Sequence, residues 1–202
     1  MIKTCLFDMG NVLVFFSHER MCRQIGALCG WTRDECRKQL MDSGLQWNYE
    51  RGLLTCEEMR DALSELSGRN ISLAALDRAT ADIFIENTSM LPILARLKAN
   101  GHRLVLLSNT SVSHVRYVEK HFDVLNEFDE RVLSCEVGAI KPEARIYEAA
   151  LEAIQCDPEE CFYTDDIAAY VEKGREFGLD AEIFTQTAVL KEHLHDRQIT
   201  GF

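Results

Sequence analysis

Three apolar runs, residues 2–7, 103–107 and 161–163, each stop at a polar residue: Asp8, Ser108 and the pair Asp165-Asp166. Runs this short and apolar read as buried strands, while the stretches between them carry helical spacing. Strands that alternate with helices predict a parallel sheet covered on both faces. Ligands of open parallel sheets bind beyond the carboxyl ends of the strands. The three polar stops are therefore expected on one edge, although they lie far apart in sequence. Shorter strands near Val132-Leu133 and over residues 181–184 complete the alternation.

One long stretch interrupts it. From about residue 18 to residue 97 the pattern is helical, with apolar residues near 3.6 spacing over 33–41, 56–66 and 73–84. Gly30, Gly44, Gly52 and Gly68 break it, and Thr32, Thr55 and Ser72 are expected N-caps. Thr55 and Glu58 have the spacing of a capping box. The fold read from this is α/β, a doubly wound parallel sheet with a small all-helical cap inserted after the first strand. Residues 1–15 and 90–202 are expected to form the core and 16–89 the cap. Cys22, Cys29 and Cys36 recur every seventh residue, which predicts one buried helix face. Pro142 is expected in the first turn of a helix just after Lys141.

Charge narrows the partners. Lys and Arg number 22 against 33 Asp and Glu, a formal charge of −11 without basic runs. Such a chain is poorly suited to duplex nucleic acid or to an anionic membrane. No apolar run approaches the roughly 18 residues of a membrane span, and no signal peptide is expected. None of the 8 cysteines stands in a Cys-x-x-Cys pair, which argues against a zinc ribbon. Reduced thiols in the cytoplasm are expected.

The polar stops suit one chemistry. Two or three carboxylates make a hard oxygen site for Mg²⁺. A carboxylate can also attack phosphorus to give an acyl phosphate. A serine hydroxyl, loop N–H groups and Lys141 can hold phosphoryl oxygens and spread developing charge.

Four segments carry a family resemblance. Phe7-Asp8-Met9-Gly10-Asn11-Val12-Leu13 resembles the first motif of the haloacid dehalogenase superfamily, and Leu107-Ser108-Asn109-Thr110 the second. Lys141-Pro142-Glu143 resembles the third, and Tyr163-Thr164-Asp165-Asp166 with Val171-Glu172-Lys173-Gly174 the fourth. The subgroup it is most similar to is the small bacterial sugar-phosphate phosphatases with Asp-x-Gly-Asn-Val, some of which act on glucose 1-phosphate. The resemblance implies an Mg²⁺-dependent phosphatase for a small phosphorylated metabolite. It makes Asp8 the nucleophile and a metal ligand, with the Gly10 carbonyl and Asp166 also on the metal. Asp165 would act through water or by orienting Lys141. Met9, Gly10, Ser108, Asn109 and Lys141 would hold the phosphoryl group, and Trp47 and Arg51 of the cap are expected to select substrate.

One departure matters. Most family phosphatases carry a second Asp two residues after the nucleophile as general acid and base, and here that residue is Gly10. Without a proton donor, substrates with easy leaving groups are favoured, such as sugar 1-phosphates, unless His18 or Glu50 supplies the proton. Two other readings stay open: a HAD-like binding or regulatory protein that has lost catalysis, and a 2-haloacid dehalogenase attacking carbon without metal.

Overall fold

A computed structural model describes residues 1–201. Its strands are β1 (Thr4–Phe7), β2 (Val14–Phe16), β3 (Phe84–Glu86), β4 (Arg103–Ser108), β5 (Glu130–Leu133), β6 (Cys161–Asp165) and β7 (Asp180–Ile183). Five of them form one sheet in the order β5-β4-β1-β6-β7, parallel throughout. β1 is central and buried along its whole length. Its side chains alternate between two apolar layers: Cys5 and Phe7 join Leu104, Leu106 and Phe162, while Leu6 joins Val105, Leu107 and Tyr163. The buried Thr4 hydroxyl is satisfied by donating to the Ile154 carbonyl at 2.7 Å.

The chain leaves β1 toward β4 and β5, then returns to the other side for β6 and β7. That reversal makes the carboxyl ends of β1, β4 and β6 the crevice of the sheet. Phe7 is in register with both Leu106 and Thr164, so Asp8 leaves the sheet level with Leu107 and Asp165.

Between β2 and β3 lie α1 (His18–Cys29), α2 (Arg33–Arg37), a π-helical turn over Lys38–Asp42, α3 (Leu45–Glu50), α4 (Cys56–Ser67) and α5 (Leu73–Ala81). Ser72 caps α5, and Thr32–Glu35 and Thr55–Glu58 form reciprocal capping boxes on α2 and α4. The rest of the chain adds α6 (Leu91–Ala99), α7 (Val112–His121), α8 (Ser134–Val137), α9 (Ala144–Ile154), α10 (Ala168–Glu176) and α11 (Thr187–Asp196) around the sheet.

Three local expectations change. Residues 84–86 form a strand, not the end of a helix. They pair antiparallel with β2, Phe16 opposite Phe84, so each strand satisfies the other's backbone where the insertion enters and leaves. Asn87 fastens this ribbon to the core, its side chain donating to the Val12 carbonyl at 2.8 Å and its N–H to the Leu13 carbonyl at 2.9 Å. The buried cysteines come from two helices: Gly30, at φ 73°, ends α1 after Cys22 and Cys29, and Cys36 faces them from α2. Pro142 precedes its helix. Glu143 N–H bonds the Ile140 carbonyl in a turn, and Glu143 is the N-cap of α9.

Candidate active site

The loop after β1 is tied down on both sides. Asp8 N–H donates to the Thr164 carbonyl at 3.1 Å, and Val14 N–H and Asn11 N–H close the loop on the carbonyls of Met9 and Val14. These bonds skip the Gly10 carbonyl. Asn11 adopts a left-handed conformation, φ 55°, which Asn tolerates better than most residues. Its amide donates to Asp166 Oδ2 at 2.9 Å, joining the β1 and β6 loops.

Lys141 is the centre of the arrangement. It is 1% exposed, and its ammonium donates to Asp8 Oδ1 at 2.7 Å, Asp165 Oδ2 at 2.6 Å and the Leu107 carbonyl at 2.9 Å. An ammonium has three N–H donors, and all three are committed. Burial works against this charge, but Asp165 and Asp8 outweigh it and hold the ammonium above its ordinary value. Burial pushes Asp8 up, to about 7, against the pull of Lys141, and Asp165 and Asp166 push the same way. Asp165 also accepts from the Tyr163 hydroxyl at 2.6 Å and from Ile167 N–H at 2.9 Å, so both its oxygens are occupied. It orients Lys141. Asp166 is less enclosed, and burial raises its carboxyl while Asn11 opposes the rise.

The donor set fits a divalent cation. Oxygens of Asp8, Asp165 and Asp166 all lie within 4.8 Å of one another. Three carboxylates facing one ammonium leave two negative charges in excess, in a setting where burial penalises them. Hard oxygen donors select Mg²⁺ or Ca²⁺ over softer metals.

Above this cluster is a cleft of about 130 Å³, partly open to solvent. Its floor is made by Asp8, Met9, Gly10, Asn109, Lys141 and Asp166. Phe16, His18, Trp47, Glu50 and Phe84 bring the insertion and its ribbon to the same cleft. Ser108 does not line it. That residue is buried at the end of β4, and Asn109 and Thr110 take the wall instead. Asn109 also ties two loops together, accepting from Lys141 N–H at 2.6 Å and donating to the Lys141 carbonyl at 3.1 Å.

Arg51 does not line the cleft either. Its guanidinium bonds Glu143 Oε1 at 2.5 and 3.1 Å, bridging the insertion to the turn before α9. At position 10, an added Cβ would stand 2.8 Å from Phe16 Cε1. The Phe16 ring fills the room a side chain there would need. The sequence reading missed His114 and Thr110. Both are buried at the cleft, and His114 Nε2 and Thr110 Oγ1 have no hydrogen-bond partner among the described residues. Burial lowers His114 to about 4, and His18 adds to the effect. One signal for His114 was available: it is the third residue of a helix capped by Ser111, in the turn nearest the end of β4.

The chain matches the haloacid dehalogenase-like hydrolase family over residues 2–178. It belongs to that family. Among curated relatives, D-ribitol-5-phosphate phosphatase of Bacteroides thetaiotaomicron is 25% identical over 89% of this chain and 90% of its own length. Phosphatase MT3486 of Mycobacterium tuberculosis is 28% identical, over 95% and 91% of the two chains. Among solved structures, a HAD family enzyme of Bacteroides thetaiotaomicron in complex with magnesium and inorganic phosphate superposes with a TM-score of 0.82. It is 28% identical and covers 92% of this chain and 95% of that one. This HAD-like chain is thus a hydrolase with the α/β core of its structural neighbours, and no helix among its described residues is long and apolar enough to cross a membrane.

Proposed function

We propose that this HAD-family phosphatase hydrolyses a small phosphorylated metabolite, a sugar or polyol phosphate, through an aspartyl-phosphate on Asp8, with Mg²⁺ as cofactor. The carrying observation is the placement of Lys141. It holds Asp8 by Oδ1, and Oδ2 of the same carboxylate takes no hydrogen bond among the described residues. Oδ2 is the oxygen left to attack phosphorus. In the first step the Asp8–phosphorus bond forms and the ester P–O bond breaks, releasing the alcohol. In the second, water cleaves the acyl phosphate to inorganic phosphate and restores the carboxylate. Asp8, Asp166 and the Gly10 carbonyl would hold Mg²⁺, which offsets repulsion between the carboxylates and a phosphate dianion. Asn109, Thr110 and the N–H groups of Met9 and Gly10 would cradle the phosphoryl oxygens.

In this reading residues 1–15 and 90–202 are the catalytic core, and 16–89 a cap that shapes the non-phosphate half of the cleft. Three clustered carboxylates are more than attack on carbon requires, which favours phosphoryl transfer over dehalogenation. The relatives named as phosphatases agree with it. A panel of sugar and polyol phosphates assayed with Mg²⁺, with Asp8→Asn alongside, tests the proposal. Turnover is expected only with metal and with the carboxylate. Turnover that survives in Asp8→Asn, or that excess chelator leaves unchanged, overturns it.

A further inference from the structure

We propose that Glu50, carried by α3 of the insertion, performs the proton transfers that position 10 cannot. The inference rests on the phosphatase reading above and adds a residue to it.

Three observations converge on this side chain. First, it is 5% exposed yet lines the same cleft as Asp8. Buried carboxylates normally have a charged partner. Glu50 has none: its Oε1 accepts only from Gln46 Nε2 at 2.9 Å, and Oε2 takes no hydrogen bond among the described residues.

Second, its backbone is fixed to the core by four successive residues. The Tyr49 hydroxyl donates to Ser113 Oγ at 3.1 Å. Ser134 Oγ lies 2.6 Å from the Glu50 carbonyl and accepts from Thr110 N–H at 2.8 Å. Arg51 pairs with Glu143, and Gly52 packs against the Cys135 carbonyl, where a Cβ would come within 2.1 Å of the oxygen. Glu50 is therefore held to the loops that carry the phosphoryl site, although it comes from the insertion.

Third, the alternatives are poorer. A general acid–base is most effective with a pKa near the working pH. Burial pushes Glu50 up to about 7, with Gln46 and Arg51 opposing the rise. His114 is lowered to about 4 and has no proton to give near neutrality, and burial lowers His18 as well. The other titratable groups on the cleft are Asp8, Lys141, Asp166 and Tyr170, and Cys135 lies near Glu50 from α8.

The step balances. As the ester P–O bond breaks, its electron pair goes to the leaving oxygen, which takes the proton of neutral Glu50. The resulting carboxylate then accepts a proton from the water that attacks the phosphorus of the aspartyl-phosphate. The P–O bond to Asp8 breaks, phosphate leaves, and Glu50 is neutral again. With this residue in place the substrate need not have an anomeric or aryl leaving group.

Glu50→Gln keeps the shape and the acceptor for Gln46 but has no transferable proton. First-turnover rates are measured on an alkyl sugar phosphate and on p-nitrophenyl phosphate, in wild type and variant, with thermal unfolding to confirm the fold. The variant is expected to lose about 10²–10⁴-fold on the alkyl ester, the usual worth of general acid–base help. Its first turnover of the aryl ester should stay within about tenfold of wild type, followed by a stalled phosphoenzyme, because p-nitrophenolate needs no proton but hydrolysis of the acyl phosphate does. Equal losses in both first turnovers, wild-type rates on both, or a folding defect shared by Glu50→Asp with no difference between substrates would overturn the role. If wild type itself forms no phosphoenzyme on Asp8, the phosphatase mechanism falls and this inference with it. A wild-type burst with an unaltered variant overturns the inference alone.

Discussion

Replacing Lys141 by Met removes the one cation inside a buried cluster while nearly keeping its volume. The ammonium donates to Asp8, Asp165 and the Leu107 carbonyl, and both the lysine and Asp165 are essentially without solvent contact. Breaking a buried pair by deleting one partner costs about 3–5 kcal/mol, because the remaining charge stays buried and uncompensated. For a chain of about 150–250 residues each kcal/mol shifts Tm by about 2–4 °C, so a fall of roughly 6–20 °C is expected. The deficit should depend on pH in a defined direction. Burial and the neighbouring carboxylates already raise Asp8 above its unfolded value, and without the ammonium that opposes them the rise is larger. A carboxylate raised on folding supports stability below its unfolded pKa and loses that support as pH rises through the folded one. The gap to wild type should therefore widen from pH 5 to pH 8, measured by thermal unfolding in chelator. Adding Asp165→Asn to Lys141→Met should recover part of the loss, since one of the two stranded charges disappears. A Lys141→Met protein that melts within about 2 °C of wild type at pH 8 would mean that the pairing contributes nothing to the fold, and the charge count behind the metal site would fail with it.

Trp47→Ala should change selectivity among sugar and polyol phosphates by tenfold or so while leaving p-nitrophenyl phosphate turnover nearly unchanged, because a lost apolar contact in a pocket is worth about 1–3 kcal/mol; equal losses on all substrates in steady-state assays would make Trp47 a packing residue. Gly52→Ala should destabilise the chain by more than about 1–2 kcal/mol, the left-handed penalty alone, because φ is +68° and the new Cβ would collide with the Cys135 carbonyl. Denaturant unfolding within about 0.5 kcal/mol of wild type, the range of a neutral surface change, would show that the insertion does not rest on the core there.

What could be read from the sequence was whatever local spacing encodes. A strand buried on both faces must be apolar throughout and must stop at a polar residue, so Asp8 and Asp165-Asp166 were visible as strand ends. N-caps and capping boxes lie within four consecutive residues, so Thr32, Thr55 and Ser72 were visible as helix starts. The ribbon was not, because β3 has three residues, too few to separate period 2 from period 3.6, and its partner β2 lies across the whole insertion. Arg51 illustrates a second limit. Its neighbours Trp47 and Glu50 face the cleft, but Arg51 ends α3 and reaches Glu143, 92 residues further along the chain. No local pattern distinguishes an arginine that meets substrate from one that meets a distant carboxylate. Ser108 and Asn109 differ in the same way: the strand end was legible, but which of two adjacent side chains turns to the cleft depends on the sheet's twist and on the Lys141 loop.

Position 10 shows how the two halves of the molecule share the chemistry. In this chain a side chain there would meet Phe16, and Phe16 belongs to the ribbon that admits the insertion. The Phe16 ring, which packs against Phe84, thus occupies the space that an acid on the β1 loop would use. An acid supplied from the insertion must be placed as precisely as one on the loop, since proton transfer needs hydrogen-bond distance to the leaving oxygen. The contacts from Tyr49 to Gly52 fix the backbone of that segment on the core beside the cleft that Glu50 lines. The same contacts couple two properties that are separate when the acid sits on the catalytic loop. On the proposed mechanism the segment that carries Glu50 also carries Trp47, so the residue proposed to protonate the leaving oxygen and the residue proposed to select the alcohol are placed by the same contacts to the core.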